Sequence, residues 1–255
     1  MPRLRAGPGL LCTLVAALAC LVSCSDSSES ESNAEQDRLW FVAQFPISGG
    51  KRDWKVGDGS HVIAQERPGM LIYEVTQFPG KRVWPAHRRA AKELLEGSLR
   101  AAKAHNWYDY KSGLAAGYTL QFNDEAHYVN REFLFDDGLL DPNRPEFLMY
   151  YDTSVGKRLV GFMFYVQEAL AHGPQVGGRL TTWHFHVWSK PRCFVRGLHA
   201  VDVPNRHGDC KIGEPLSRSP EMLHVWLVNH PEGRFATRMR IDPMLLERLV
   251  DERGY

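Results

Sequence analysis

DPNRPEFLMYYDTSVGKRLVGFMFYV, residues 141–166, decides the fold. Pro142 and Pro145 bracket a turn, an aromatic and apolar run follows to Tyr151, a turn holds Gly156, and a second apolar run covers 159–166. Two strand-like runs joined by so short a connection read as a β-hairpin, and therefore as antiparallel pairing. Working outward, residues 40–45, 70–76 and 118–122 are rich in β-branched and aromatic side chains and bounded by Gly, Pro, Asn or Asp. They predict strands, as do 180–188 and 223–229. Residues 85–105 read PAHRRAAKELLEGSLRAAKAH, with Ala91, Leu95, Leu99 and Ala102 on one stripe and Leu94, Ser98, Ala101 and His105 beside it. That spacing predicts a long helix opened by Pro85. A short helix is expected over 242–254, with Asp242 as its cap, Pro243 in its first turn and Gly254 closing it. The expected class is α+β: a mainly antiparallel sheet packed by one long helix and a short C-terminal helix.

The chain has 255 residues, 44% of them hydrophobic, which is enough apolar mass for a core and excludes a disordered protein. Lys plus Arg total 31 against 30 for Asp plus Glu, so there is no basic excess and nucleic acid is not an expected partner. Arg3 and Arg5 followed by an apolar stretch over 10–22, too short for a stable membrane span, predict a secretory signal over 1–23. It ends in Leu21-Val22-Ser23-Cys24, which resembles the lipobox of bacterial lipoproteins. That resemblance implies acylation of Cys24, a membrane anchor, and an extracytoplasmic location at the outer membrane if the host has one. Residues 24–37 are Ser- and Glu-rich and predict a flexible tether, leaving 38–255 as a single globular domain. In an exported chain Cys193 and Cys210 are most simply a disulfide, closing a loop worth about 3 kcal/mol in the chain-entropy picture.

Thr182-Trp183-His184-Phe185-His186-Val187-Trp188 carries the densest candidate chemistry. On a strand His184 and His186 project from one face, with Trp183, Phe185 and Val187 on the other. The same alternation sets Met222, His224 and Trp226 together, so pairing of the two strands would bring three imidazoles to one face. Such a set suits zinc or copper, with the Met222 thioether favouring copper and either His127 or His207 as a fourth ligand. The alternative is a polar sheet face whose rings bond to carbonyls or water. Asp124, Glu125, Asp136 and Asp137 are clustered and raise a glycosidase reading on composition alone. Neither G-x-S-x-G, a P-loop, a nucleotide-binding G-x-G-x-x-G nor H-E-x-x-H appears, so the enzymes built on those motifs find no support.

Several segments taken together resemble an uncharacterised family of bacterial exported proteins. They are Ala115-Ala116-Gly117-Tyr118, His127-Tyr128-Val129-Asn130, Leu140-Asp141-Pro142 leading to Arg144-Pro145-Glu146, Leu148 and Tyr150, then Leu159-Val160-Gly161 and Leu223-His224-Val225-Trp226, with Asn229, Pro231, Gly233 and Phe235-Ala236. The resemblance implies an extracytoplasmic domain, singles out His127 and His224, and brings no activity. Three functions follow as expectations. The first is binding of a transition metal or small ligand by the His cluster. The second is an enzyme using a metal or an imidazole in the same cleft. The third is an envelope interaction module in which Trp183, Trp188 and Trp226 form contact surface.

Overall fold

The computed structural model describes residues 60–75, 83–169 and 171–252. The expected signal, Cys24, the tether and the strand at 40–45 lie outside these. Among the described residues ten strands form one sheet: β1 Ser60–Arg67, β2 Met70–Val75, β3 Tyr118–Leu120, β4 His127–Asn130, β5 Phe147–Thr153, β6 Gly156–Tyr165, β7 His184–Val195, β8 His199–Asp202, β9 Glu214–Arg218 and β10 Met222–Trp226. Their order is β1-β2-β7-β10-β6-β5-β4-β3, with β8 and β9 both pairing β7, and every pairing is antiparallel. Helices are minor: α1 Pro85–Ala104, α2 Tyr110–Ala115, α3 Arg131–Leu134 and α4 Pro243–Asp251. No helix among the described residues is long and apolar enough to cross a membrane.

The expected α+β class is therefore corrected to a large antiparallel sheet with small helices attached. The strands that shift the balance carry weak sequence signals. β4 and β8 have four residues each, and β9, Glu-Pro-Leu-Ser-Arg, is polar and holds a proline. β7 starts later than expected but runs on to Val195, with Lys190 and Pro191 in an irregularity between the pairs Val187–Arg218 and Arg192–Leu216. Proline is tolerated where the ladder is already interrupted. On α1 the buried side is Ala91, Leu94, Ser98, Ala101 and Ala102, drawn from both expected stripes, with Leu95 and Leu99 half-buried.

Registry assigns the faces. Residues paired directly across antiparallel strands point the same way, and the pairs Glu74–His184, Ile72–His186, Met222–His184, Met222–Tyr165, His224–Met163, Phe147–Met163 and His127–Met149 put all these side chains on one face. The opposite face carries Phe185, Leu223, Val225, Phe162 and Leu148, and Trp107, beyond α1, packs edge-on against Phe162. Leu246, Leu249 and Val250 of α4 join the cluster of Phe147, Met163, Met222 and Trp226, so the C-terminal helix belongs to the histidine-bearing face.

That face is strongly curled. β3 and β1 stand at opposite ends of the strand order, yet the loop after β3 bridges to the other side: Arg67 Nη1 of β1 donates to the Asn123 carbonyl at 3.1 Å, and Gln121 Nε2 donates to the Ala200 carbonyl of β8 at 3.1 Å. Gly161 lies in the row His127–Met149–Gly161–Trp226. A Cβ there would collide with Met149 Cε and sit 2.7 Å from the Val225 carbonyl, so glycine is what lets this row close up. Cys193 and Cys210 form a disulfide that ties β7 to the connection after β8.

Candidate functional site

The curl encloses a cavity of about 1150 Å³ on the histidine-bearing face. His127, His186, Met163, Met222 and Tyr165 line it. His184 and His224 lie behind them and are fully buried. The four rings are close neighbours: His184 to His224 is 4.5 Å between centroids, His127 to His224 is 5.6 Å and His184 to His186 is 5.7 Å. Two intervening strands separate His127 from His224, so their contact is a product of the curl. Met222, expected on the same face as His224, is the direct cross-strand partner of His184.

Each ring is fixed differently. Asp124 Oδ1 accepts from the amides of Glu125, Ala126 and His127 at 2.7, 2.9 and 3.1 Å, and from His127 Nδ1 at 3.1 Å. Burial alone would raise the Asp124 carboxyl; the His127 ring and the turn amides outweigh it and hold it well below the usual carboxylate range. His224 Nδ1 lies 3.3 Å from the Ala236 carbonyl, the same oxygen that accepts from Trp226 Nε1 at 2.8 Å. A carboxylate and a carbonyl only accept, so Nδ1 carries a hydrogen in both rings. Burial, reinforced by the neighbouring imidazoles, pushes His184 and His224 well below the ordinary histidine range, and burial drives His186 down to about 4.

Buried ring nitrogens without a hydrogen-bond partner occur on all four histidines: Nε2 of His127, His186 and His224, and a nitrogen of His184, whose ring otherwise meets the Thr182 backbone. Buried polar atoms are normally paired, so the concentration is unusual. Among the described residues, no group of three or more His, Cys, Asp or Glu side chains is already arranged to hold a metal ion.

The other expected site residues fall elsewhere. His207 occupies an exposed turn in which Asn205 Oδ1 accepts from the amides of His207 and Asp209, and its ring accepts from Arg206 Nε at 3.0 Å. That turn is not part of the cavity wall, so of the two candidates for a fourth ring only His127 is in place. Asp124 is committed to its own turn, and Asp136 accepts from the Gly138 amide and pairs with Arg144, so neither acid is a loose catalytic carboxyl. Trp183 and Trp226 are fully buried, which makes them core and not contact surface. The Asp124–His127 pair, Met163 and the arginines of the cavity mouth were not anticipated. Only the Asp-x-x-His spacing was there to be read.

The buried neutral rings carry a pH consequence. His186 and His199, both lowered chiefly by burial, protonate near 4 when folded, against about 6.5 in an unfolded chain. Above pH 6.5 neither state is charged and the rings cost nothing. As pH falls from about 6.5 toward 4 the unfolded chain takes up protons that the folded one refuses, so stability declines across that window and the loss levels off below it. Urea midpoints of the metal-free domain should therefore drop steadily between pH 7 and 4; a flat profile would contradict neutral buried rings. No family model, curated protein or solved structure matches this chain.

Proposed function

We propose that this protein is an exported, lipid-anchored domain that binds a late first-row transition-metal ion at the cluster of His127 and His186, which line the cavity, and His184 and His224 behind them. One observation carries the reading: four adjoining imidazoles each hold a buried ring nitrogen without a partner, and in His127 and His224 Nδ1 is taken up by Asp124 and Ala236, which leaves Nε2 as the position for a metal. Ring anchoring by a carboxylate or a carbonyl behind the ligand atom is the usual second shell of a metal-binding histidine. Lone pairs buried without donors call for a Lewis acid. The Met222 and Met163 thioethers on the same wall favour copper over zinc.

Because no three donors are already arranged around one point, loading turns at least one ring about its Cβ–Cγ bond, and His186, at the cavity wall and not fully buried, is the ring with room to do so. The Cys193–Cys210 bridge suits an oxidising compartment and so supports export, while the anchor at Cys24 rests on the leader. Metal analysis of the purified domain after loading with copper or zinc and dialysis tests the reading. One tightly held ion per chain is expected; substoichiometric content with both metals overturns it. The Asp124–His127 pair favours a second reading, a general base with an orienting carboxylate in a ligand-sized cavity. Turnover that survives a chelator would select it.

A further inference from the structure

The cavity mouth carries an arrangement that the imidazoles do not explain. Arg67 at the end of β1, Lys190 and Arg192 on β7, and Arg238 and Arg240 from the tail before α4 all line it, against two acids, Asp124 and Glu125. Asp124 is consumed by its turn and His127, and Arg238 is matched by Glu232 at 3.0 Å. Among the described residues, no ion pair engages Arg67 or Arg192.

These two guanidiniums are instead drawn onto one neutral residue. Asn123 adopts a left-handed backbone, φ 53°, a conformation asparagine tolerates better than most. Its carbonyl accepts from Arg67 Nη1 at 3.1 Å; with its amide oxygen turned to Arg192, Oδ1 accepts from Nη1 and Nη2 at 2.8 and 2.9 Å. Arg192 is further held against the rings of Trp188 and Phe122, at 5.5 and 5.9 Å from their centroids. Two positive charges are thus oriented onto one uncharged acceptor, and Arg192 feels Arg67 against it with the turn-bound Asp124 tempering the repulsion. Apposed like charges are unfavourable unless something negative is bound.

We infer that Arg67 and Arg192 form the recognition site for an oxyanion head group, carboxylate or phosphate, of a small ligand whose remainder enters the cavity toward His186 and His127. Guanidinium forks suit such heads because two parallel N–H donors match two oxygens. The proposal rests on the cavity being a ligand site and adds the ligand's chemistry. It does not require a metal.

The test uses metal-free domain and two probes, inorganic phosphate and succinate, followed by calorimetry and by the fluorescence of Trp188 beside Arg192. At least one probe should bind at millimolar concentration or below, more weakly as salt rises. Arg192→Gln and Arg67→Gln should each weaken it about tenfold or more, by loss of a charge-assisted pair, while Lys211→Gln, in an exposed loop, should leave it unchanged. Phosphate favoured over succinate identifies a phosphate head, and the reverse a carboxylate; either supports the site. No binding of either probe to the unaltered protein, or equal binding by the two arginine variants, overturns it. Since metal is absent throughout, failure of metal loading and failure of the anion site are read separately.

Discussion

Replacing His184 and His224 together with alanine should abolish metal loading of the domain. Both rings are fully buried, their centroids stand 4.5 Å apart, and each has a ring nitrogen without a partner. Their removal takes two donors from the centre of the cluster and leaves His127 and His186 on either side of a gap. Asp124→Asn is the finer probe. Asp124 offers no donor to the metal itself and acts through the ligand His127, whose Nδ1 hydrogen it accepts. Loss of such a second-shell carboxylate costs about ten- to a hundredfold in metal affinity. The variant should therefore still load, but with weakened affinity and an unchanged stoichiometry. Competition titration against a calibrated chelator checks both, with urea unfolding alongside to show that each variant is folded. Full affinity in the double variant would remove the imidazoles from the account.

Trp226→Ala should be among the most damaging single changes, at about 3–5 kcal/mol, because it empties a fully buried indole site. It is a large fraction of the stability of an ordinary domain. The indole also holds the tail: Nε1 donates to the Ala236 carbonyl at 2.8 Å, the Trp226 amide donates to the Arg234 carbonyl at 2.8 Å, and the ring packs on His230 and Tyr151. Residues 234–240 run from there to the cavity, where Arg238, Met239 and Arg240 form part of the wall, and Thr237 donates to Glu74 at 2.7 Å. Hydrogen exchange should accordingly speed up across 234–240 in this variant. A urea midpoint close to that of the unaltered protein would show that the tail is held by other contacts.

The side-chain parity of two strands made half of the site legible. Alternation alone puts His184 with His186 and Met222 with His224, and the pair Met222–His184 aligns the two sets. The hairpin at β5 and β6 was equally readable, because its runs are apolar and its turn is chemically marked. What could not be read is long-range closure. His127 sits on a four-residue strand with two strands between it and His224, and only the curl, permitted by the bare Gly161 and by the bulge at Met149–Tyr150, sets the rings 5.6 Å apart. Arg67 and Arg192 lie 125 positions apart and meet through Asn123, a loop residue with no periodic signal. The size of the sheet was underestimated for a related reason. Strands such as β9 owe their conformation to pairing with β7 and not to their own polar composition.

X-ray absorption at the metal edge of the copper- or zinc-loaded domain tests the central claim most directly. Convergence of the imidazoles predicts a first shell of nitrogen at about 2.0 Å, with the outer-shell scattering of at least two imidazole rings, lost in the His184, His224 double variant. A shell of light donors without ring scattering, or the same spectrum from the double variant, would place any bound metal elsewhere and contradict the account.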